Sequence, residues 1–258
     1  MSVRFIAEVG SNHNRDIKRC YRFIETAADM GCWGVKFQLF RTDKLFAPEV
    51  LALSDQRGLR LNERRAWELP LEFIPELARR CRELELKFVC TPFDLEAVEF
   101  LKPHVDIFKV SSYDILRLDL LRACAATGKP MIVSTGMATD KEIMQALHAI
   151  RERNFKTEIT LLHCVSLYPA PVDACNLVKV SFRYFGHQVK NGWSDHSVNP
   201  GVIYRAVYGW AATVIEFHLD LDGQGVEYGY GHCWLPEQIA PVIRGVYDGF
   251  KADFRSAD

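Results

Sequence analysis

Asn191-Gly192-Trp193-Ser194-Asp195-His196 and, one helix-length further on, Val214-Ile215-Glu216-Phe217-His218 decide the reading of this chain. Each run is short, mostly apolar and closed by a histidine, as a buried strand would be, and the chain between them is long enough for one helix. That is the spacing of consecutive β/α units. Two histidines at adjacent strand ends can face one small volume, and imidazole suits zinc, manganese or iron. Asp195 and Glu216 stand beside them as partners that could orient the rings or complete the site. The alternative is a pair of hydrogen-bonded core histidines.

The same rhythm continues in both directions. Apolar strand patterns at Val3–Glu8, Trp33–Gln38, Lys87–Thr91, Val105–Ser111, Met131–Thr135 and Glu158–Cys164 precede a seventh at His187–Ser194 and an eighth at Ala212–His218. Helical periodicity occupies Asp16–Met30, Leu71–Leu84, Asp94–Leu101, Leu116–Thr127, Asp140–Arg151, Asn199–Tyr208 and Glu237–Phe250. Leu39 to Trp67 carries no steady period, and Tyr168-Pro169-Ala170-Pro171 imposes an extended connection. Strands with little polar alternation, each leading toward a helix, imply a parallel sheet covered by helices. Eight of them predict an α/β fold with a single (β/α)8 TIM barrel over residues 1–258.

A barrel puts its chemistry at the C-terminal strand ends, and the polar residues obey that demand. Glu8 closes the first strand and leads to Asn12 and His13; Lys36 and Gln38 lie on the second and Thr91 ends the third. Lys109, Ser112 and Asp114 follow on the fourth, Ser134 on the fifth, Ser166 after the sixth and Ser194 on the seventh. Lysines in apolar strands are costly to bury without an anion. Lys36 and Lys109 therefore argue for a bound phosphate or carboxylate, with a salt bridge to Glu8 or Asp114 as the competing explanation. Hydroxyls at Thr91, Ser112, Ser134, Ser166 and Ser194 would add neutral donors around the same anion.

Composition narrows the class. The chain has 258 residues, 48% of them hydrophobic and 25% charged, which fits one large domain with a substantial core. A formal net charge of -1 gives no general attraction to nucleic acid or anionic membrane. No leader-like start and no apolar run of spanning length is evident, so a cytoplasmic protein is expected. The eight cysteines are scattered without a C-x-x-C pair and read as reduced, mostly buried thiols.

The ordered motifs Ile6-Ala7-Glu8-Val9-Gly10-Ser11-Asn12-His13-Asn14, Val35-Lys36-Phe37-Gln38, Cys90-Thr91-Pro92-Phe93-Asp94 and Phe108-Lys109-Val110-Ser111-Ser112-Tyr113-Asp114 open a resemblance. Ser134-Thr135-Gly136-Met137-Ala138-Thr139, Leu161-Leu162-His163-Cys164-Val165-Ser166, Gly192 to His196 and Val214 to His218 complete it. Together they resemble the catalytic barrel of the sialic acid synthase family, which includes the N-acetylneuraminate, legionaminate and pseudaminate synthases. The resemblance implies a condensation of phosphoenolpyruvate with an N-acetylated sugar aldehyde, assisted by a divalent metal, Mn2+ or Mg2+, that releases phosphate and leaves a 2-keto-3-deoxy acid.

By that resemblance His196 and His218 are the metal ligands. Lys36, Thr91, Lys109, Ser112, Ser134, Ser166 and Ser194 match positions that hold phosphoenolpyruvate. Glu8 matches a glutamate that handles protons, and Gln38, Asp114 and Tyr168 match positions near the sugar. The sequence also departs from the pattern. Family members usually continue into a small C-terminal antifreeze-like domain, which this chain lacks, leaving open a homo-oligomer or a separate chain that supplies a lid. The last loop reads Gly225-Val226-Glu227-Tyr228-Gly229-Tyr230-Gly231-His232-Cys233-Trp234. There Glu227 takes the place of an aspartate facing the sugar, and His232 either approaches the metal or belongs to an aromatic cover. Two other functions compete with the synthase: a metal-dependent sugar lyase or epimerase on the same barrel, and a non-catalytic partner in glycan biosynthesis.

Overall fold

In the computed structural model, which describes residues 3–46, 61–182 and 189–253, the strands are β1 (Arg4–Glu8), β2 (Gly34–Leu39), β3 (Lys87–Pro92) and β4 (Ile107–Val110). They are followed by β5 (Met131–Ser134), β6 (Ile159–Cys164), β7 (Val189–Asp195) and β8 (Val214–His218). All pair in parallel with their sequence neighbours, and β8 closes onto β1 with Arg4 opposite Val214 and Glu8 opposite His218. This is the predicted (β/α)8 barrel.

Alternation along each strand separates two environments. Phe5, Phe37, Phe88, Phe108, Trp193 and Phe217 enter the large apolar layer between strands and helices. Ile6, Val89, Ile107, Ile132, Leu162 and Val214 form a small cluster of their own, the plug of the barrel interior. Two residues further along those strands the same inward face carries Glu8, Thr91, Lys109, Ser134, Cys164 and Glu216. Lys36 and Ser194 follow Gly34 and Gly192 by the same step. A period of two thus puts an apolar floor beneath a polar layer at the C-terminal end of the barrel. Gly192 keeps the floor closed, because a Cβ there would lie 2.3 Å from Leu162 Cδ2 and 2.7 Å from the Val214 carbonyl oxygen.

Helices cover the outside. Ile17–Asp29 starts at Asp16, whose side chain accepts from the Lys18 amide, and Asp140–Arg153 starts with a Thr139/Glu142 capping box. The helical cover is irregular in three places. Between β6 and β7 the described chain has two 3-10 turns, Val172–Ala174 and Leu177–Val180, where the two prolines and Asn176 in the left-handed region break helical continuity. The helix expected over Asn199–Tyr208 is α-helical only at Pro200–Tyr204 and continues as a π turn over Arg205–Gly209. The aperiodic stretch Leu39–Trp67 contains the short helices Thr42–Leu45 and Leu61–Ala66; its residues 47–60, like the first residues of the predicted seventh strand, lie outside the described residues. All eight cysteines are free and buried, and among the described residues no helix is long and apolar enough to cross a membrane.

β7 is tied to the chain after β8 through one carboxylate. Asp195, fully buried, accepts from Trp193 Nε1 (3.1 Å) and Ser197 Oγ (2.7 Å) on one oxygen. Its other oxygen accepts from Trp234 Nε1 (3.0 Å) and the Val198 amide (3.1 Å). Asp195 thus orients two indoles, and the expectation that it would orient a histidine ring does not hold. Each buried donor orphaned by its loss costs about 1–3 kcal/mol, so Asp195→Ala is expected to lower the unfolding free energy by at least about 3 kcal/mol in denaturant titrations. A loss under about 1 kcal/mol would contradict the clasp.

Candidate active site

The polar layer opens into a cavity of about 780 Å³ at the C-terminal mouth of the barrel. Glu8, Lys36, Gln38, Lys109, Ser112, Asp114, Ser134, Tyr168, Ser194, His196, His218 and Glu227 all line it. Of the residues picked from the sequence, Thr91 and Ser166 sit one step behind the wall. Thr91 Oγ1 accepts from Lys36 Nζ at 3.5 Å, and Ser166 Oγ is 3.5 Å from Ser112 Oγ.

Four buried charges lie at its base. Lys36 Nζ is 2.9 Å from Glu8 Oε1 and 3.9 Å from Glu216 Oε2, while Lys109 Nζ is 3.3 Å from Glu216 Oε1. The four side chains are at most 5% exposed. Two ammonium groups therefore face two carboxylates, and burial of the lysines alone does not demand an outside anion: that step of the sequence argument is corrected by Glu216. Its carboxylate, expected to orient a histidine, lies between the lysines and also accepts from Ser194 Oγ at 3.0 Å. Burial would raise the Glu216 carboxyl, but Lys109 and Lys36 hold it down to about 2. Burial likewise lowers both lysines; two carboxylates turn Lys36 upward, whereas Lys109, facing Glu216 alone, stays below its ordinary value. Glu8 Oε2 and Glu216 Oε2 are buried without a hydrogen-bond partner. An ammonium has three N–H donors, so Lys109 retains capacity toward the cavity.

The histidines stand above this base, with ring centroids of His196 and His218 5.4 Å apart. His196 Nδ1 is 2.7 Å from the Val165 carbonyl oxygen. A carbonyl only accepts, so Nδ1 carries the proton and Nε2 keeps its lone pair. Burial pushes the His196 imidazolium down to about 3, which keeps the ring neutral at pH 7. His218 Nδ1 donates to Glu227 Oε2 at 3.1 Å, which leaves its Nε2 free in the same way. Burial lowers the His218 imidazolium, but the hydrogen bond and charge of Glu227 raise it above its ordinary value. Each ring is oriented from behind by an oxygen acceptor, and a divalent cation would take the place of the proton on His218, so the residues fit a metal there.

Glu227 is itself held in place. Its Oε1 accepts from the Ser11 amide at 2.7 Å, and its own amide donates to Asn12 Oδ1 at 2.7 Å. Gly10 makes room, since a Cβ at that left-handed position (φ 55°) would lie 2.4 Å from Glu227 Oε2. The loop after β8 is pinned at its neck, where the Trp234 amide donates to the His218 carbonyl at 2.8 Å. Inside, Arg19 bonds Asp220 (2.6 Å) and Asp222 (2.9 Å). Gln38, expected near the sugar, donates from Nε2 to Glu8 Oε1 at 2.5 Å, and Asp114 accepts from Ser111 Oγ at 2.6 Å.

Arg64, Trp67 and Cys164 also line the cavity, and none of them was assigned to the site from sequence; Tyr230 and His232 of the last loop line it too, where His232 was expected either near the metal or in an aromatic cover. Arg64 and Trp67 come from the aperiodic stretch, which carried no signal. Cys164 was legible as the inward position two residues after Leu162.

A profile of the NeuB family matches residues 23–253. The chain belongs to the NeuB family. It is 36% identical over 225 residues to an N,N'-diacetyllegionaminic acid synthase of Campylobacter jejuni, a match covering 84% of this chain and 67% of that protein. An N-acetylneuraminate-9-phosphate synthase of Drosophila melanogaster is 31% identical over 258 residues, 97% of this chain and 68% of that protein. The crystal structure of N-acetylneuraminic acid (sialic acid) synthetase from Leptospira borgpetersenii superposes with a TM-score of 0.87 at 29% identity, covering all of this chain and 87% of that one. This NeuB-family chain spans about two thirds of the length of the curated relatives it matches. The Campylobacter and Drosophila relatives are both synthases, and this chain is an enzyme of that synthase class.

Breaking a buried pair from one side costs about 3–5 kcal/mol, so Glu216→Gln is expected to destabilise the NeuB-family barrel by that amount at pH 7. The Glu216 carboxyl is depressed in the folded state, so its contribution is complete above the ordinary 4.5 and is lost as pH falls toward about 2. Urea titrations of both proteins should therefore converge below pH 4.5; a gap that stays constant down to pH 3 would contradict the assignment.

Proposed function

We propose that this chain condenses phosphoenolpyruvate with an N-acetylated amino-sugar aldehyde in a cation-assisted reaction that yields a 2-keto-3-deoxy acid and phosphate. The observation that carries the reading is the vertical order of the cavity. Two buried lysines lie at its base, hydroxyls line its wall, and two imidazoles with free Nε2 atoms stand at its mouth.

Phosphoenolpyruvate brings a carboxylate and a phosphate, which Lys109 and Lys36 meet at the base while Ser112 and Ser134 donate from the wall. Ser194 is engaged with Glu216 and serves by holding that carboxylate in place. Tyr168, whose ring lies 4.3 Å from that of His196, provides an apolar face at the mouth. A divalent cation held by His196 and His218 would polarise the aldehyde oxygen and offset the charge that develops on it. The C2=C3 electron pair of phosphoenolpyruvate forms the new bond from C3 to the aldehyde carbon, whose C=O pair moves onto oxygen; water then adds at the electron-deficient C2, and the proton it gives up balances the one the aldehyde oxygen gains in becoming a hydroxyl. Glu8 Oε2, buried and unpartnered, is the oxygen positioned to take a proton from that water, with Lys36 and Gln38 fixing the other oxygen of the carboxylate. Breaking the C2–O bond releases phosphate and leaves the keto group.

The test is release of inorganic phosphate from phosphoenolpyruvate across a panel of N-acetylated amino sugars, with and without Mn2+. Release is expected only with both a sugar and the cation. Lys109→Ala is expected to lower kcat/KM by about 100-fold or more, the scale on which a charge-stabilising donor acts. Turnover of a sugar without phosphoenolpyruvate, or phosphate release unchanged in Lys109→Ala, would overturn the reading.

A further inference from the structure

The loop after β8 brings donors of its own to the barrel mouth. One ligand atom from each of His218, Glu227, His232 and Cys233 lies within 4.8 Å of the others. We propose that His218, Glu227 and His232 form a cation seat for a late first-row divalent ion of the zinc or cobalt type, with the last loop supplying two of its three donors.

Three observations support the seat. Glu227 Oε2 faces both rings, 3.1 Å from His218 Nδ1 and 3.7 Å from His232 Nε2, while its other oxygen is fixed by the Ser11 amide. His232 is 4% exposed and turns Nε2 toward the Glu227 carboxylate, so its ligating nitrogen lies inside the wall of the cavity and not in solvent. The ring centroids of His218 and His232 are 4.6 Å apart, closer than either is to His196. Two imidazoles and one carboxylate are a donor set used for zinc and for iron(II), with further positions open to water or substrate. The backbone behind the donors is braced by Asn12, Arg19 and Asp220, which limits the reorganisation a cation would require.

The seat deepens the proposed function, since it rests on the barrel mouth being a cation-binding surface, but it is separable from the pair His196 and His218. His218 turns Nδ1 toward the last loop, and a cation seated there would displace the proton that Nδ1 otherwise donates to Glu227, whereas the pair with His196 uses Nε2; the two seats thus share one imidazole through different nitrogens.

The test uses Zn2+ alone, titrated calorimetrically into chelator-treated full-length chain, with folding checked by circular dichroism. His232→Gln and the isosteric Glu227→Gln are each expected to weaken Zn2+ binding by at least about tenfold, while His196→Gln retains a zinc site within about threefold of the parent affinity. Zinc anomalous diffraction from the unmutated protein provides a readout independent of variants, with a peak expected at bonding distance from both Glu227 and His232. Unchanged affinity in both last-loop variants, or a peak bonded only to His196 and His218, overturns the seat and leaves the proposed function standing. Loss of all zinc binding in His196→Gln overturns it as well.

Discussion

The arrangement of this barrel depends on a buried exchange of charge among Glu8, Lys36, Lys109 and Glu216, contributed by four different strands. Burying one ion without its partner is expensive, and a buried pair only offsets its own desolvation. One level below, the same inward face is filled by Ile6, Val89, Ile107, Ile132, Leu162 and Val214, which shows that this barrel closes well on aliphatic side chains. A layer of charges directly above that floor therefore adds little stability. It provides fixed electrostatics for a ligand that enters from the mouth.

The loop after β8 is the second determinant of the site. Its carboxylate, Glu227, is joined to the loop after β1 through Ser11 and Asn12 and to β8 through His218, so it couples the first and last units of the barrel where they meet. Asp195 performs a similar task for β7 by gathering the indoles of Trp193 and Trp234. These two carboxylates lie near histidines but play different parts: Glu227 orients a ring, whereas Asp195 orients the walls around one.

Much of this was legible before any coordinates. The eight-strand rhythm predicted the closed barrel, and most of the polar residues picked at strand ends line the cavity, with Thr91 and Ser166 just behind it. The role of Glu216 could have been read by stepping along the inward face two residues at a time, where two lysines and two glutamates fall in one layer. Adjacency to His218 drew attention instead, although neighbours on a strand point to opposite faces only at odd spacing and Glu216 and His218 share one. The contacts of Glu227, Asn12 and Gly10 were not legible, because they join residues more than two hundred positions apart through loop backbone. Arg64 and Trp67 lay in a stretch whose composition carries no period.

The claim at the centre of this account is that Glu216 remains ionised inside the barrel because two lysines face it. Carbon-13 NMR of the glutamate side-chain carboxyl carbons, with the Glu216 resonance assigned by its absence in Glu216→Gln, measures this directly. The account predicts a Glu216 resonance at the ionised position that does not move between pH 7 and pH 4, since its midpoint is held down to about 2. A titration with its midpoint at or above 4.5 would contradict it.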